Sequence, residues 1–288
     1  MDIPTEIIFV DDGSSDKSFD IISHLSQKDA RVKCLRFSRN FGSHAALLAG
    51  LRKACGAAAV IISADLQDPP ELIRDLVEKW RQGYHTVWAV RESRKDPFAK
   101  KLFAATFYRL FRRIALPNYP PSGMDFGLFD RRILDNLKRL HEINYFIPGL
   151  ILWLGFRQAY ISYHRRSRHS GRSKWTVRKR TKNAVDAIVS FSYFPIRLIS
   201  YTGFFVSLLA FLYVVFLVTR KLFFGLGTPG WVSVFVAVLF LGGLQLMMLG
   251  ILGEYIWRTT DQVRSRPSYI LMDQIGFDDI KPQDEEGL

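Results

Sequence analysis

Two uncharged apolar stretches, Leu198–Val218 and Trp231–Gly253, limit most sharply what this chain can fold into. They run for 21 and 23 residues, and Gln245 is the most polar side chain in the second. At about 1.5 Å per residue, each helix crosses a hydrocarbon core of about 30 Å. Tyr201, Tyr213, Trp231, Tyr255 and Trp257 lie at or near the ends, as interfacial aromatics do, which argues against two helices buried in a soluble core. The connector, 219–230, is short and holds Gly225, Gly227, Pro229 and Gly230. The two helices therefore form a transmembrane hairpin with both outer ends on one side.

Charge orients the hairpin. Between Arg157 and Lys182 the chain carries ten Lys or Arg residues and no acid, and Arg258, Arg264 and Arg266 follow the second stretch. The connector has only Arg220 and Lys221. The positive-inside rule then puts both termini in the cytoplasm, at an inner (plasma) membrane. Overall, 40 Lys and Arg against 27 Asp and Glu give a net charge of +13, which calls for an anionic partner. Nucleic acid is set aside, because no recognition motif is present and the basic run sits where lipid headgroups or a lipid phosphate would be. Two cysteines, Cys34 and Cys55, cannot build a disulfide framework. Asp2, Pro4 and Glu6 interrupt any apolar run of signal-peptide kind. The expected divisions are an α/β domain over 1–164, a basic juxtamembrane segment over 165–197, the hairpin over 198–253 and a cytoplasmic tail over 254–288.

Before the hairpin, strand-length apolar runs alternate with helical periods. Glu6–Val10, Val32–Phe37, Ala58–Ser63 and Thr86–Val90 read as strands. The segments 16–27, 44–54, 70–82 and 98–114 read as helices. That order predicts a mainly parallel sheet with helices on both faces, and ligands at the carboxyl ends of its strands. Three polar clusters fall at such ends. Asp11-Asp12-Gly13-Ser14-Ser15-Asp16 follows the first strand. One capping residue would satisfy a helix start there, and two adjacent acids suggest a ligand as readily as a capped turn. In Ser63-Ala64-Asp65-Leu66-Gln67-Asp68-Pro69-Pro70-Glu71, the order Asp68, Pro69, Glu71 fits an N-cap, a first-turn proline and a capping-box acid, so Asp68 reads as structural. Asp65 precedes the cap and suits a Mg²⁺ or Mn²⁺ ion that keeps its waters and bridges substrate phosphates, with Gln67 a donor to a phosphate oxygen. Asp125, in Gly123-Met124-Asp125-Phe126-Gly127, is either a desolvated base or an acceptor of loop N–H groups; the residues alone favour the second.

Together these segments resemble glycosyltransferase family 2. The likeness lies in Val10–Asp16, in Arg39-Asn40-Phe41-Gly42 with Ala45-Ala46-Leu47, and in Ala64–Glu71. Asp125-Phe126, Trp153–Arg157, Arg168–Lys174 and Leu252–Ile256 narrow it to the polyprenyl-phosphate glycosyltransferases, the bactoprenol glucosyltransferase and dolichol-phosphate mannose synthase group. The resemblance implies a GT-A-type domain that moves a sugar, with inversion, from a nucleotide-sugar to a polyprenyl phosphate at the cytoplasmic membrane face. UDP-glucose is the first expectation for the donor. By the same likeness Asp11 and Asp12 lie at the nucleoside, Asp65 at the metal, Gln67 near the diphosphate and Asp125 at the acceptor. Arg91, Arg168, Ser173 and Lys174 meet phosphate oxygens. The implied partners are the donor, the lipid acceptor and the bilayer; a homo-oligomer is left open.

Three departures from the family pattern stand out. Ser63 replaces an acid that many members carry, so metal binding rests on Asp65 and the diphosphate. Gly127 replaces a residue that is often arginine. Only a few residues precede the first strand, where the family has a further strand and helix. The expectation is an N-terminally shortened form with two unpaired strand edges and weak donor binding. A competing reading is a non-catalytic membrane subunit that keeps the nucleotide-sugar fold.

Overall fold

A computed structural model describes residues 4–65, 67–91, 109, 111–117, 119–120, 126–140, 142, 146–164, 186, 188–189, 191–224 and 230–277. The chain opens with β1 (Ile7–Asp11), α1 (Ser18–Lys28), β2 (Val32–Phe37), α2 (Ser43–Lys53) and β3 (Ala58–Val60). A 3-10 turn, Pro70–Leu72, leads into α3 (Ile73–Arg81) and β4 (Thr86–Arg91). Then come β5 (Phe126–Asp130), α4 (Arg131–Arg139), α5 (Ile147–Trp153) and β6 (Gln158–Tyr163). Two long helices, α6 (Phe194–Phe224) and α7 (Trp231–Val263), precede a last strand, β7 (Leu271–Ile275).

The strands form two sheets, ordered β1-β2-β7 and β3-β5-β4-β6. The α/β class is as expected, but the sheets are mixed rather than mainly parallel. The β1–β2 and β4–β6 ladders are parallel; β2–β7, β3–β5 and β4–β5 are antiparallel. Two strands that the periodicity does not predict cause the difference. β5 enters between β3 and β4 against their direction, and β7 returns from the second long helix to cover β2. β1 pairs only with β2, and β3 only with β5, among the described residues.

Local sequence accounts for the main elements. Thr86–Ala89 and Phe126–Phe129 are near-continuous apolar runs buried on both faces, the pattern of interior strands. Gly127 lets β5 lie against β4, since a Cβ there would stand 2.6 Å from the Val87 carbonyl oxygen. A larger residue would push the ladder apart, so this glycine is a packing requirement. α4 starts at Asp130, whose side chain accepts from the Arg132 amide at 2.9 Å and from Trp80 Nε1 at 2.7 Å. Its Ile133, Leu134 and Leu137 are fully buried against α2 and α5 residues such as Leu48, Leu51 and Leu150.

α6 and α7 are 31 and 33 residues long, about 45–50 Å at 1.5 Å per residue. Within them, Phe194–Arg220 and Phe240–Val263 are long and apolar enough to cross a membrane, and among the described residues none of either apolar window is buried inside the protein. By length and composition both are candidate membrane spans. Their base is tied to the α/β domain. Phe191, just before α6, packs with Phe146 and Leu152 of the domain, and Arg258 of α7 pairs at 2.6 Å with Asp186 of the segment that leads into α6.

Candidate active site

The described candidate residues gather in two groups, one on each sheet. The first lies where β1 and β2 end. Asp11 is buried, with its side chain 1% exposed. Its Oδ1 accepts from the Ser14 amide at 2.9 Å, and its Oδ2 stands 3.6 Å from Arg36 Nε. Asp12 reaches across to the next loop, accepting from the Phe41 amide at 2.7 Å and the Gly42 amide at 3.0 Å. Gly42 is the residue before α2, so Asp12 also fixes where that helix begins. Between the acids and the helix, Gly13 adopts φ +68°, and a Cβ there would meet the Arg39 carbonyl carbon at 2.5 Å. The two adjacent acids thus hold two loops, 13–16 and 39–42, against one another. Any part they take in ligand binding runs through those loops.

The second group follows β3. Asp65 is half-buried, and its Oδ1 accepts from the Gln67 amide at 3.2 Å. Asp68 is fully buried and accepts from the Tyr163 hydroxyl at 2.9 Å. The expected cap at Asp68 is corrected: Pro69 occupies the position before the 3-10 turn and offers no side-chain acceptor. With two prolines in sequence, the turn begins at the second, which moves the cap by one residue. Asp68 is structural as expected, through Tyr163. That tyrosine ends β6 in register with Arg91 at the end of β4, so the loop after β3 and both strand ends share one corner. Asp125, Arg168, Ser173 and Lys174 lie outside the described residues, as do most of 98–114 and the basic run after His164.

Among the described residues no three of His, Cys, Asp or Glu cluster as a ready-made metal site. The donor set on offer is one half-buried carboxylate, Asp65. This fits an octahedral ion that draws its other ligands from a diphosphate and water, and it does not fit a structural ion held by protein alone.

Several side chains here carry no signal in the sequence pattern. His44, in the first turn of α2, packs edge-on to Phe146 with ring centroids 5.8 Å apart, and burial lowers its pKa while Asp186 opposes that shift. Cys34 is fully buried beside Asp11, and both effects push its thiol to about 11, so it is no nucleophile at neutral pH. Arg36 and Tyr163 belong to no motif; only the strand register places them at the loops.

Residues 2–138 match glycosyl transferase family 2. The chain is 44% identical over 274 residues to the uncharacterized glycosyltransferase YkcC of Bacillus subtilis, spanning 95% of this chain and 85% of that one. It is 42% identical over 267 residues to the SfII prophage-derived bactoprenol glucosyl transferase of Shigella flexneri, spanning 92% and 86%. A prophage bactoprenol glucosyl transferase homolog of Escherichia coli is 40% identical over 267 residues, spanning 92% and 87%. The chain belongs to glycosyl transferase family 2: it is a glycosyltransferase, related over nearly its whole length to bactoprenol glucosyl transferases.

Proposed function

We propose that this glycosyltransferase moves a sugar, glucose from UDP-glucose first among donors, onto a polyprenyl phosphate at the cytoplasmic face of the membrane, with inversion at the anomeric carbon. The observation that carries the reading is that one chain joins acid-held loops at the strand ends to two long apolar helices that the described residues leave uncovered. A water-soluble sugar acceptor would need no such helices; an isoprenoid tail does. The full-length likeness to bactoprenol glucosyl transferases supports the same acceptor class.

In this reading Asp11 and Asp12 shape the nucleoside end of the site through the loops they hold. Asp65 takes the metal, and Gln67 and Arg91 face the diphosphate. A Mg²⁺ or Mn²⁺ ion, when bound, neutralises charge on the leaving diphosphate. The acceptor phosphate has its second pKa near ~6 and is largely dianionic at neutral pH. Its oxygen forms the new bond to the anomeric carbon while the bond to the diphosphate oxygen breaks, releasing nucleoside diphosphate. Asp125 then orients the acceptor more than it deprotonates it, and Arg168, Ser173 and Lys174 bind the acceptor phosphate.

The test is a panel of radiolabelled nucleotide-sugars offered to membranes holding the chain and undecaprenyl phosphate, scored for lipid-extractable label. Label from UDP-glucose that disappears in Asp65→Asn at limiting Mg²⁺ or Mn²⁺ supports the reading. Activity of Asp65→Asn within a few-fold of the parent sinks the metal assignment, and no lipid-linked label from any donor sinks the function.

A further inference from the structure

The three-stranded sheet carries a row of alternating charge at the end nearest the first candidate group. Asp11 of β1 is the register partner of Arg36 of β2, and Arg36 is the register partner of Asp273 of β7. Paired positions on neighbouring strands present their side chains on one face. Arg36 Nε lies 3.6 Å from Asp11 Oδ2, and Arg36 Nη1 lies 3.5 Å from Asp273 Oδ2. Both distances exceed hydrogen-bond range, so the guanidinium is shared between two acids and committed to neither. Its flat face rests on Phe19, 4.5 Å from the ring centroid. The β2–β7 ladder shifts register immediately after this row, between Arg36 and Phe37.

Burial makes the row consequential. Asp11 Oδ2 is buried and accepts no hydrogen bond among the described residues. Arg36 is therefore the charge that balances a desolvated carboxylate, whose other oxygen carries the Ser14 amide. Whatever fixes Arg36 fixes Asp11, and with it the start of the 13–16 loop. Asp273 holds Arg36 from the outer side of the sheet, on a strand delivered by the segment 264–270 directly from the end of α7.

We infer that the C-terminal strand β7 is a working part of the nucleotide end of the site, with Asp273 a positioning residue that acts through Arg36 on Asp11 and the 13–16 loop. The inference rests on the proposed function, which gives that loop to the donor nucleoside. It makes one sheet edge the common anchor of the donor loop and the membrane helix.

The test uses the full chain in nanodiscs, with UDP as the probe and hydrogen exchange read over residues 13–16. Asp273→Asn should speed exchange in that loop about two- to fivefold, the range of a partly exposed ion pair, and weaken UDP binding by a similar factor. Exchange in β4 and β5 and the acceptor KM should not move, and Asp273→Glu should restore both loop readouts. Arg36→Met should act in the same direction and more strongly. Should UDP bind the parent chain normally while Asp273→Asn leaves the loop unchanged, the positioning role is overturned. It is overturned equally when β1, β2 and the loop all loosen alike, since that is loss of a strand alone. Absence of UDP binding in the parent overturns the donor assignment itself, a separate failure.

Discussion

The two sheets of the α/β domain are held in different ways. In the four-stranded sheet the interior strands are apolar on both faces, and Phe126, Leu128 and Phe129 are at most 1% exposed. In the three-stranded sheet β1 has a single fully buried residue, and that residue is Asp11. Its fixed points are carboxylates: Glu6 at the start of β1, Asp11 at its end and Asp12 just beyond. Glu6 accepts from the Cys55 amide at 2.6 Å and from Lys33 Nζ at 2.9 Å. Asp11 and Asp12 hold the loops 13–16 and 39–42. Apolar contact is non-directional, so it fixes a sheet without fixing the loops at its ends. Charge-assisted hydrogen bonds are directional and set loop geometry, but they depend on protonation. β2 of the three-stranded sheet is itself apolar at Cys34, Leu35 and Phe37, all fully buried, so the contrast lies in β1 and the loops at its end. The loops proposed for the donor nucleoside are held in this second way.

Substitutions in the two sheets should therefore fail differently. The largest effect is expected in the apolar sheet. Phe129→Ala should cost about 3–5 kcal/mol, read as thermal unfolding of the detergent-solubilised chain, with nucleotide affinity unchanged in whatever remains folded. Asp12→Ala should cost less, about 1–3 kcal/mol, because two loop amides lose their acceptor. It should nonetheless weaken nucleotide binding more than Phe129→Ala does. If Phe129→Ala harms binding more at equal folded fraction, the division between the sheets is wrong. Tyr163→Phe comes next. It removes one donor from the fully buried Asp68 and should cost about 1 kcal/mol. Its signature is faster exchange over 67–72, with no change over 13–16.

What is legible in the sequence divides along the same line. The acids at 11 and 12 stand out because an apolar strand stops at them, and the two long helices stand out by length and lack of charge. The function class comes from the resemblance to glycosyltransferase family 2 that the motifs at 10–16, 39–47 and 64–71 carry. What each acid touches does not. Asp12 meets Phe41 and Gly42 across a loop, and Asp11 meets Arg36 across a strand ladder, contacts that no local pattern encodes. β7 escapes a local pattern for the same reason. Leu271–Ile275 has only two half-buried residues and three exposed ones, and its partner lies more than two hundred positions earlier. Asp68 reads as a cap because Asp-Pro-Pro-Glu fits the capping rule with the acid at the N-cap, whereas in the structure the turn begins one residue later, behind Pro69, which has no acceptor to offer. Gly127 reads as a lost phosphate contact in the sequence, whereas the nearby Val87 carbonyl gives it a packing reason.

The smallest expected effect is also the sharpest test of the comparison, because it uses pH alone. Burial raises the pKa of Glu6, but Lys33 and the Cys55 and Gly56 amides outweigh it, so the carboxyl sits below its ordinary value of 4.5. A group whose folded pKa is depressed binds fewer protons folded than unfolded. It stabilises the fold above the ordinary glutamate range, and that contribution is lost as pH falls through the folded value. Thermal stability of the parent should thus fall on acidification through 4.5 more steeply than that of Glu6→Gln, and the two should converge at the acid end. Asp29 supplies the control. Its partner Arg31 holds it at about 2 by hydrogen bonds and charge, but the pair lies on the surface, 2.7 Å apart between α1 and β2. Salt near ~1 M should erase the contribution of Asp29 and leave much of that of Glu6, whose side chain is 21% exposed. Exchange measured along the same titration should show the start of β1 and the turn at Cys55 and Gly56, which Glu6 holds, loosening before β4 and β5. Loosening of both sheets together at one pH would mean that the polar clamps do not set the stability of the first sheet separately, and the contrast drawn between the two would fall.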